Sequence, residues 1–503
     1  MLKKLITSLT ILNYLGSLLF IFGFAMMLPA LVHLIFPGPG ISVRIIAAFV
    51  IPGTLISLLG LILTRRLPDR VPNIQDGMMI TALAWITVSL AGTIPLFLIL
   101  DQPFIDTFFE ATSGITASGL TIFTGLDEMP PALLFWRSFM QWIGGIGILT
   151  FFLAVSFRGG STAATLFSAE GHKIHSSRPV PGIFNTVKII WMIYAALTLL
   201  AFFLLYAEGM SLFDAINHTL TLVSTGGFST HDASIAYFSH FKSAPLIEYT
   251  MIFFMLMGGT NFLLHYKVST GDWQALYKDF EMRLFWLIIG GAFLLIGLDV
   301  YRAHGSELLS SWTTFHLHFR STLFQTVSII TSTGYATRNL NDPYYPALAK
   351  QVFLLLMFVG GCIGSTAGGF KVLRLGVLGQ TLASEIKQLS LPGKAVIPLV
   401  IQQRIIPGRE VRRICALLFA WIGLIWTGTS LTLAFTSLDV SEALSGMLSA
   451  VSNMGPFFFS TAKLASFPAC VKITYIFGML AGRLEVLPMF VLCARLVGRQ
   501  GNL

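Results

Sequence analysis

Charge is scarce in this 503-residue chain. Only 11% of its residues are charged and 55% are hydrophobic, whereas soluble domains carry about 25% charge. That excludes one or two soluble domains and leaves an integral membrane protein, because apolar runs beyond about 18 residues recur along the chain. Cysteine is scarce too. Cys362, Cys415, Cys470 and Cys493 show no CxxC or other metal-ligand spacing, which excludes a disulfide framework or a zinc site and leaves small buried hydrophobes. His, Asp and Glu do not cluster inside the apolar runs, and the acids lie at their ends. This argues against a membrane-embedded enzyme or sensor, so no catalytic or cofactor-binding residue is assigned. The run from Gly364 to Lys371 echoes a phosphate loop but lacks the Gly-Lys-Ser/Thr ending and follows no soluble strand. The net charge of +9 is read as loop charge on the cytoplasmic side, not as a nucleic-acid surface.

What is present is a fourfold theme. Thr116-Ala117-Ser118-Gly119, Val223-Ser224-Thr225-Gly226, Thr331-Ser332-Thr333-Gly334 and Ser452-Asn453-Met454-Gly455 are each small-residue runs ending in glycine. Their glycines are 107, 108 and 121 residues apart (226 − 119, 334 − 226, 455 − 334). After each comes a second small pair inside an apolar run: Gly144-Gly145, Gly258-Gly259, Gly360-Gly361 and Ala481-Gly482. A period this regular marks internal repeats. Singly, each run is better explained by helix packing, for which membranes favour small residues; four copies at matched positions are not.

Along the chain, two leading spans at about 8 to 35 and 42 to 64 precede the repeats. Lys3 and Lys4 open an apolar stretch longer than a signal peptide's, which is read as a retained first span. Each repeat then reads as a long helix, a half-length helix, a glycine turn and a second long helix. The half-length segments, such as 107 to 115, are too short to cross, since about 20 residues are needed. They are re-entrant, with broken backbone that membranes tolerate only where it is buried or lines a cavity. The expected architecture is an all-α integral membrane protein with four tandem repeats around a central pore and two leading helices. Its segments are 1–70 for the leading pair, then 71–157, 158–266, 267–376 and 377–503, the second and fourth opening with basic loops. In the third repeat the last span should be interrupted, since five glycines in ten positions are costly in a helix interior. Ten spans put both termini on one side. Lys3, Lys4, Arg65, Arg66, Arg70 and the loops at 158 to 188, 267 to 283 and 371 to 413 share that side, making it cytoplasmic. The acids Asp101, Asp106, Glu110, Asp127, Glu128, Asp214, Asp342, Asp439 and Glu442 then fall at the outer mouth, where they would concentrate cations. His218 and His231 are read as surface hydrogen-bonding groups.

A cation leaving water needs substitute oxygens, and rings of backbone carbonyls provide them without a trapping counter-charge. Glycine permits the positive φ that turns successive carbonyls inward, and neighbouring hydroxyls support the loop or touch the ion. The short helices aim their C-terminal ends at the axis, a favourable potential for cations. Four such loops in one chain form a cation filter. Which ion passes is not announced by carbonyls alone, so sodium or ammonium stay beside potassium as alternatives.

The run from Phe109 to Gly119, the run from Val223 to Thr230, and the stretch from Gly360 to Lys371 resemble the Trk and Ktr family of potassium uptake proteins, specifically the bacterial Trk-type membrane subunit. The likeness covers nearly the whole chain. It implies potassium as substrate, with no bound cofactor, a homodimer in the bacterial inner membrane, and a cytoplasmic ring of a nucleotide-binding regulatory subunit. It also implies filter glycines at Gly119, Gly226, Gly334 and Gly455, and a gate below them made by Gly360, Gly361, Gly364, Ser365, Thr366, Ala367, Gly368 and Gly369, with Arg483 as the family's basic residue of the last span. Channel-like flux and proton- or sodium-coupled symport are both open under this likeness. The composition of residues 360–369 suits a gate, since small side chains let an extended segment cross a cavity; a kink for close helix packing is the other reading. Arg483 either places a charge near the ion path or anchors structure. Glu485, two residues on, shares no helix face with it, so its partner is expected in another repeat.

Overall fold

The computed structural model describes residues 2–38, 42–147, 150, 183–308, 310–390, 398–402 and 404–496. The regular structure there is helical, apart from a two-residue antiparallel strand pair, Val400–Ile401 with Arg404–Ile405. Six helices among these residues are long and apolar enough to cross a bilayer, and two bent pairs pass the same test together. The all-helical membrane architecture expected from composition therefore holds. The basic segment with His172, Lys173, His175 and Arg178, the end of the first repeat's last span, Lys394 and Arg499 lie outside the described residues.

The leading pair, α1 (Leu2–Ile35) and α2 (Ser42–Arg66), forms an antiparallel hairpin. Glycine makes it close. A Cβ on Gly23 would strike the carbonyl of Gly53, and one on Gly60 would strike that of Gly16. In each helix the two glycines are seven residues apart, so they share a face and the backbones approach as small residues allow in membranes.

Four units follow. The first is α3 (Ile74–Ile99), α4 (Phe104–Ile115) and α5 (Pro131–Gly145). The second is α6 (Ile183–Ala207), α7 (Leu212–Val223), α8 (Ala244–Gly259) and α9 (Phe262–Ser269). The third is α10 (Phe280–Leu308), α11 (Trp312–Ile330), α12 (Ala347–Val359) and α13 (Val372–Gln388). The fourth is α14 (Gly408–Phe435), α15 (Val440–Ser452), α16 (Ala469–Arg483) and α17 (Leu487–Leu496). At 12 residues, α4 and α7 are about 18 Å long. That is about three-fifths of the roughly 30 Å a crossing needs.

Two expectations are corrected. The third unit's short helix is not half-length: α11 has 19 residues and begins at Trp312, where the Ser311 hydroxyl accepts the Thr314 N–H at 3.1 Å and caps it. Interruption of the last span is also not confined to the third unit. α5 ends at Gly145, α8 and α9 meet at 104°, and α16 and α17 meet at 120°. The small pairs explain the breaks. A Cβ on Gly144 would overlap the Ile115 carbonyl, one on Gly259 would come within 2.7 Å of Thr331, and one on Gly482 would overlap the Val451 carbonyl. These glycines let the second long helices abut the C-terminal ends of the short ones.

Candidate functional site

Each short helix ends in the same cap. The N–H groups of Ala117 and Ser118 bond to the carbonyls of Gly114 and Ser113 at 3.0 and 2.9 Å, and those of Thr225 and Gly226 to Leu222 and Thr221 at 3.1 and 2.8 Å. Ser332 and Thr333 bond to Ile329 and Ser328, both at 2.9 Å, and Asn453 and Met454 to Ala450 and Ser449 at 3.3 and 3.0 Å. This is the Schellman arrangement, in which the residue after the cap is left-handed and is usually glycine. Here it is Ala117 (φ 51°), Thr225 (50°), Ser332 (50°) and Asn453 (50°). A left-handed non-glycine residue costs about 1–2 kcal/mol, so strain recurs at four matched positions, as is common at functional sites.

Two residues beyond each of these comes a second left-handed residue: Gly119 (φ 74°), Gly227 (76°), Gly334 (85°) and Gly455 (101°). These four close a ring. A Cβ on Gly119 would overlap the Gly226 carbonyl oxygen, one on Gly227 that of Thr333, and one on Gly334 that of Met454; one on Gly455 would lie 3.3 Å from that of Ser118. The carbonyls at 118, 226, 333 and 454 thus each lie against the preceding loop's glycine. The second loop's expected register is therefore corrected by one residue. Gly227 stands where Gly226 was expected, Gly226 matches Ser118, and Val223 is the last residue of α7, inside the helix. Gly119, Gly334 and Gly455 occupy equivalent places, as the sequence pattern has it.

The side chains mostly brace the ring. Thr116 and Thr331 return their hydroxyls to the carbonyls of Thr112 and Val327, both at 2.7 Å, and meet Ser118 and Thr333 at 2.7 and 2.8 Å. Gln141 donates to the Gly226 carbonyl at 2.8 Å and accepts from Phe228 N–H at 3.1 Å. Asn453 donates to the Ser118 hydroxyl at 2.6 Å and to the Met479 carbonyl at 2.9 Å. The Met454 side chain is fully buried, while its carbonyl keeps the ring position.

One side of the ring opens to a cavity of about 630 Å³ lined by Gly119, Gly227, Gly334 and Gly455. On the other side, among the described residues, Asn453 lines a cavity of about 60 Å³ shared with Gly364, Ser365, Ala367, Gly368, Gly369 and Arg483. Residues 360–371 fill this side. Thr366 donates its hydroxyl to the carbonyls of Val223 and Gly258 at 3.1 and 3.0 Å. Gly368 N–H reaches the Ser332 hydroxyl at 2.5 Å, and Gly369 N–H reaches the Ser452 carbonyl at 3.0 Å. Gly360 (φ 69°), Gly364 (75°) and Gly369 (84°) adopt turns open to glycine. Gly361 packs against Ala367, and its N–H bonds to the Gly368 carbonyl at 3.3 Å. Arg483 donates to the Thr366 carbonyl at 3.0 Å, to that of Gly144 at 2.6 Å, and to that of Gly145. It joins the third unit to the first, so its partners do lie in other repeats; Glu485 pairs with Arg374 at 2.5 Å instead.

The acids expected at the open mouth are largely engaged. Glu110 is fully buried and pairs with Arg137 at 2.7 Å, and Asp106 pairs with Lys472 at 2.5 Å. Asp127 and Asp214 pair with His231 at 2.5 and 3.3 Å. These groups are ties between elements, which corrects the picture of a free acidic mouth. His218 is fully buried as well, not a surface group, and contacts the Ser229 hydroxyl at 3.0 Å. Glu110, His218 and Gln325 each stand six residues before the cap at Thr116, Ser224 or Thr331. Glu110 and His218 hold Thr121 and Ser229, two residues past the ring glycine. Sequence reasoning missed this tether, although a polar residue six before three of the four caps is its visible signal; Gly446 stands there in the fourth.

Residues 45–500 match the TrkH family of cation transport proteins. The chain is 34% identical over 494 residues to the Trk system potassium uptake protein TrkH of Vibrio parahaemolyticus, covering 96% of this chain and 98% of the relative. It is 32% identical over 429 residues to the protein of the same name in Escherichia coli, covering 83% and 85%. The crystal structure of the potassium transporter TrkH from Vibrio parahaemolyticus superimposes with a TM-score of 0.82 at 31% identity, covering 96% of this chain and 98% of the other. With the fold, the repeated loops and these relatives in agreement, the chain belongs to the TrkH family of cation transport proteins, and is a transporter and not an enzyme.

Proposed function

We propose that this protein takes up potassium ions across the bacterial inner membrane, through the ring formed by its four glycine loops. The observation that carries the reading is the ring itself, in which the carbonyls at 118, 226, 333 and 454 lie against Gly455, Gly119, Gly227 and Gly334. Names of relatives as potassium uptake proteins support potassium over sodium or ammonium. The filter consists of residues 116–119, 224–227, 331–334 and 452–455. Residues 360–371 form the gate, closed in this conformation, and Arg483 anchors it. Strain at four left-handed residues fits a site held rigid by its surroundings. The segments are a leading pair at 1–70 and pore repeats at 71–157, 158–266, 267–376 and 377–503.

Basic loops support a reading with both termini in the cytoplasm and the wide cavity facing outward. The relatives belong to a Trk system, which supports work alongside further components; a homodimer on a cytoplasmic ring of nucleotide-binding regulatory subunits is the assembly assigned here. Charge reversal at Arg404, Arg409, Arg412 and Arg413 should weaken regulation, and unchanged co-purification and regulation would count against this surface.

The deciding experiment is growth of a potassium-uptake-deficient cell on low potassium. The intact protein with its regulatory partner should restore growth, and Gly334→Ala should abolish it. Failure of the intact protein would overturn the potassium assignment; full activity of Gly334→Ala would overturn the filter. Deleting residues 364–369 should raise flux without the partner, and unchanged flux in a folded deletion would overturn the gate.

A further inference from the structure

We propose that Glu281 is the latch that holds residues 360–371 across the ion path. The inference rests on reading that segment as the gate. Glu281 lies in the first turn of α10, buried at 7% exposure. A single carboxylate oxygen accepts the backbone N–H of Ile363 at 2.7 Å and that of Leu373 at 3.2 Å. The two donors stand on opposite sides of Thr366, Gly368 and Gly369, the residues that bond to the filter loops. One side chain therefore grips the segment at both flanks.

The position of the carboxylate is fixed from below. Asp279 caps α10 by accepting the Glu281 N–H at 2.9 Å, and its other oxygen accepts from Gln402, in the turn between the two strands, at 2.8 Å. Hydrogen bonds to an ionised group are shorter and stronger than neutral ones, and a buried carboxylate stripped of its donors is costly. Movement of residues 360–371 away from the ring takes Ile363 or Leu373 from Glu281, so the carboxylate biases the equilibrium toward the blocked arrangement. Glu281 acts on the ion only through this segment and is a positioning residue.

The test is rubidium-tracer flux into proteoliposomes holding the full chain alone, without regulatory subunits. Glu281→Ala should raise flux by about tenfold, the shift expected from losing a hydrogen bond to a charged group, while Glu281→Gln, which keeps an acceptor of the same shape but loses the charge, should raise it less. Glu281→Asp keeps the charge but shortens the reach and should raise flux; it carries the test if the alanine variant does not fold. As a second readout, in protein whose only cysteine is Cys362, a maleimide should label Cys362 faster in Glu281→Ala or Glu281→Asp. Unchanged flux and labelling in these variants, with raised flux on deleting residues 364–369, would overturn the latch and leave the gate standing. No rise in either the Glu281 variants or the deletion would instead overturn the gate.

Discussion

Asn453 donates its side-chain amide to the Ser118 hydroxyl at 2.6 Å, joining the fourth loop to the first across 335 residues of sequence. The same side chain holds the Met479 carbonyl, and its left-handed backbone is one that asparagine tolerates better than most residues. The fourth loop, least like the others in sequence, thus provides the link that closes the ring.

Asn453→Gly keeps the backbone and removes both bonds, whereas Asn453→Val removes the bonds and adds a β-branched residue at positive φ. The glycine variant should lose roughly 1–3 kcal/mol of stability and the valine variant more. Sodium competition against tracer uptake should rise in both. Unaltered competition would show that the first-to-fourth-loop link does not shape the filter.

The corrected register of the second loop makes a paired prediction. Gly227→Ala places a methyl group on the Thr333 carbonyl and strains a φ of 76°, whereas at Gly226 the methyl meets the Gln141 side chain. Uptake should therefore be abolished by Gly227→Ala and reduced less by Gly226→Ala. The reverse order in a potassium-uptake assay would restore the register expected from sequence.

That one-residue difference shows where sequence reading stops. The Ser/Thr-Gly pattern was enough to locate four loops and their repeat, because the caps they form are local. Gly226-Gly227 offers two glycines, and only the backbone angle chooses between them. Glu110 and Asp106 looked like mouth charges because their partners, Arg137 and Lys472, lie 27 and 366 residues away. Likewise the hydrophobic run through residues 244–269 continues past Gly259, so its 104° bend leaves no trace in hydropathy. The glycine pairs that cause the breaks were visible; their packing against the short helices was not.

Removing one partner of the buried Glu110–Arg137 pair leaves an uncompensated charge, at a cost of roughly 3–5 kcal/mol. Glu110→Met alone should lower the melting temperature strongly, and Glu110→Met with Arg137→Met should recover much of the loss. Thermal unfolding in detergent measures the cycle. Additive losses would mean that the two residues act independently despite their 2.7 Å contact.

His231 stands in the loop after the second ring glycine. Burial pulls its pKa down, but the hydrogen bonds and charges of Asp214 and Asp127 outweigh burial and raise it above the ordinary value of 6.5. The stabilisation from this pairing is complete below 6.5 and is lost as pH climbs through the raised folded-state value. Melting temperature should therefore fall more steeply above pH 6.5 in the parent than in His231→Ala. Parallel profiles would show that the clasp between the first and second loops does not depend on the imidazolium.

The four quadrants of the ring are encoded separately along one chain. An assembly of identical subunits would carry any substitution four times around its axis, whereas a change here enters once. Mutational dosage at the ring is thus adjustable in single steps, and a graded series from one to four altered quadrants can be built by genetics alone.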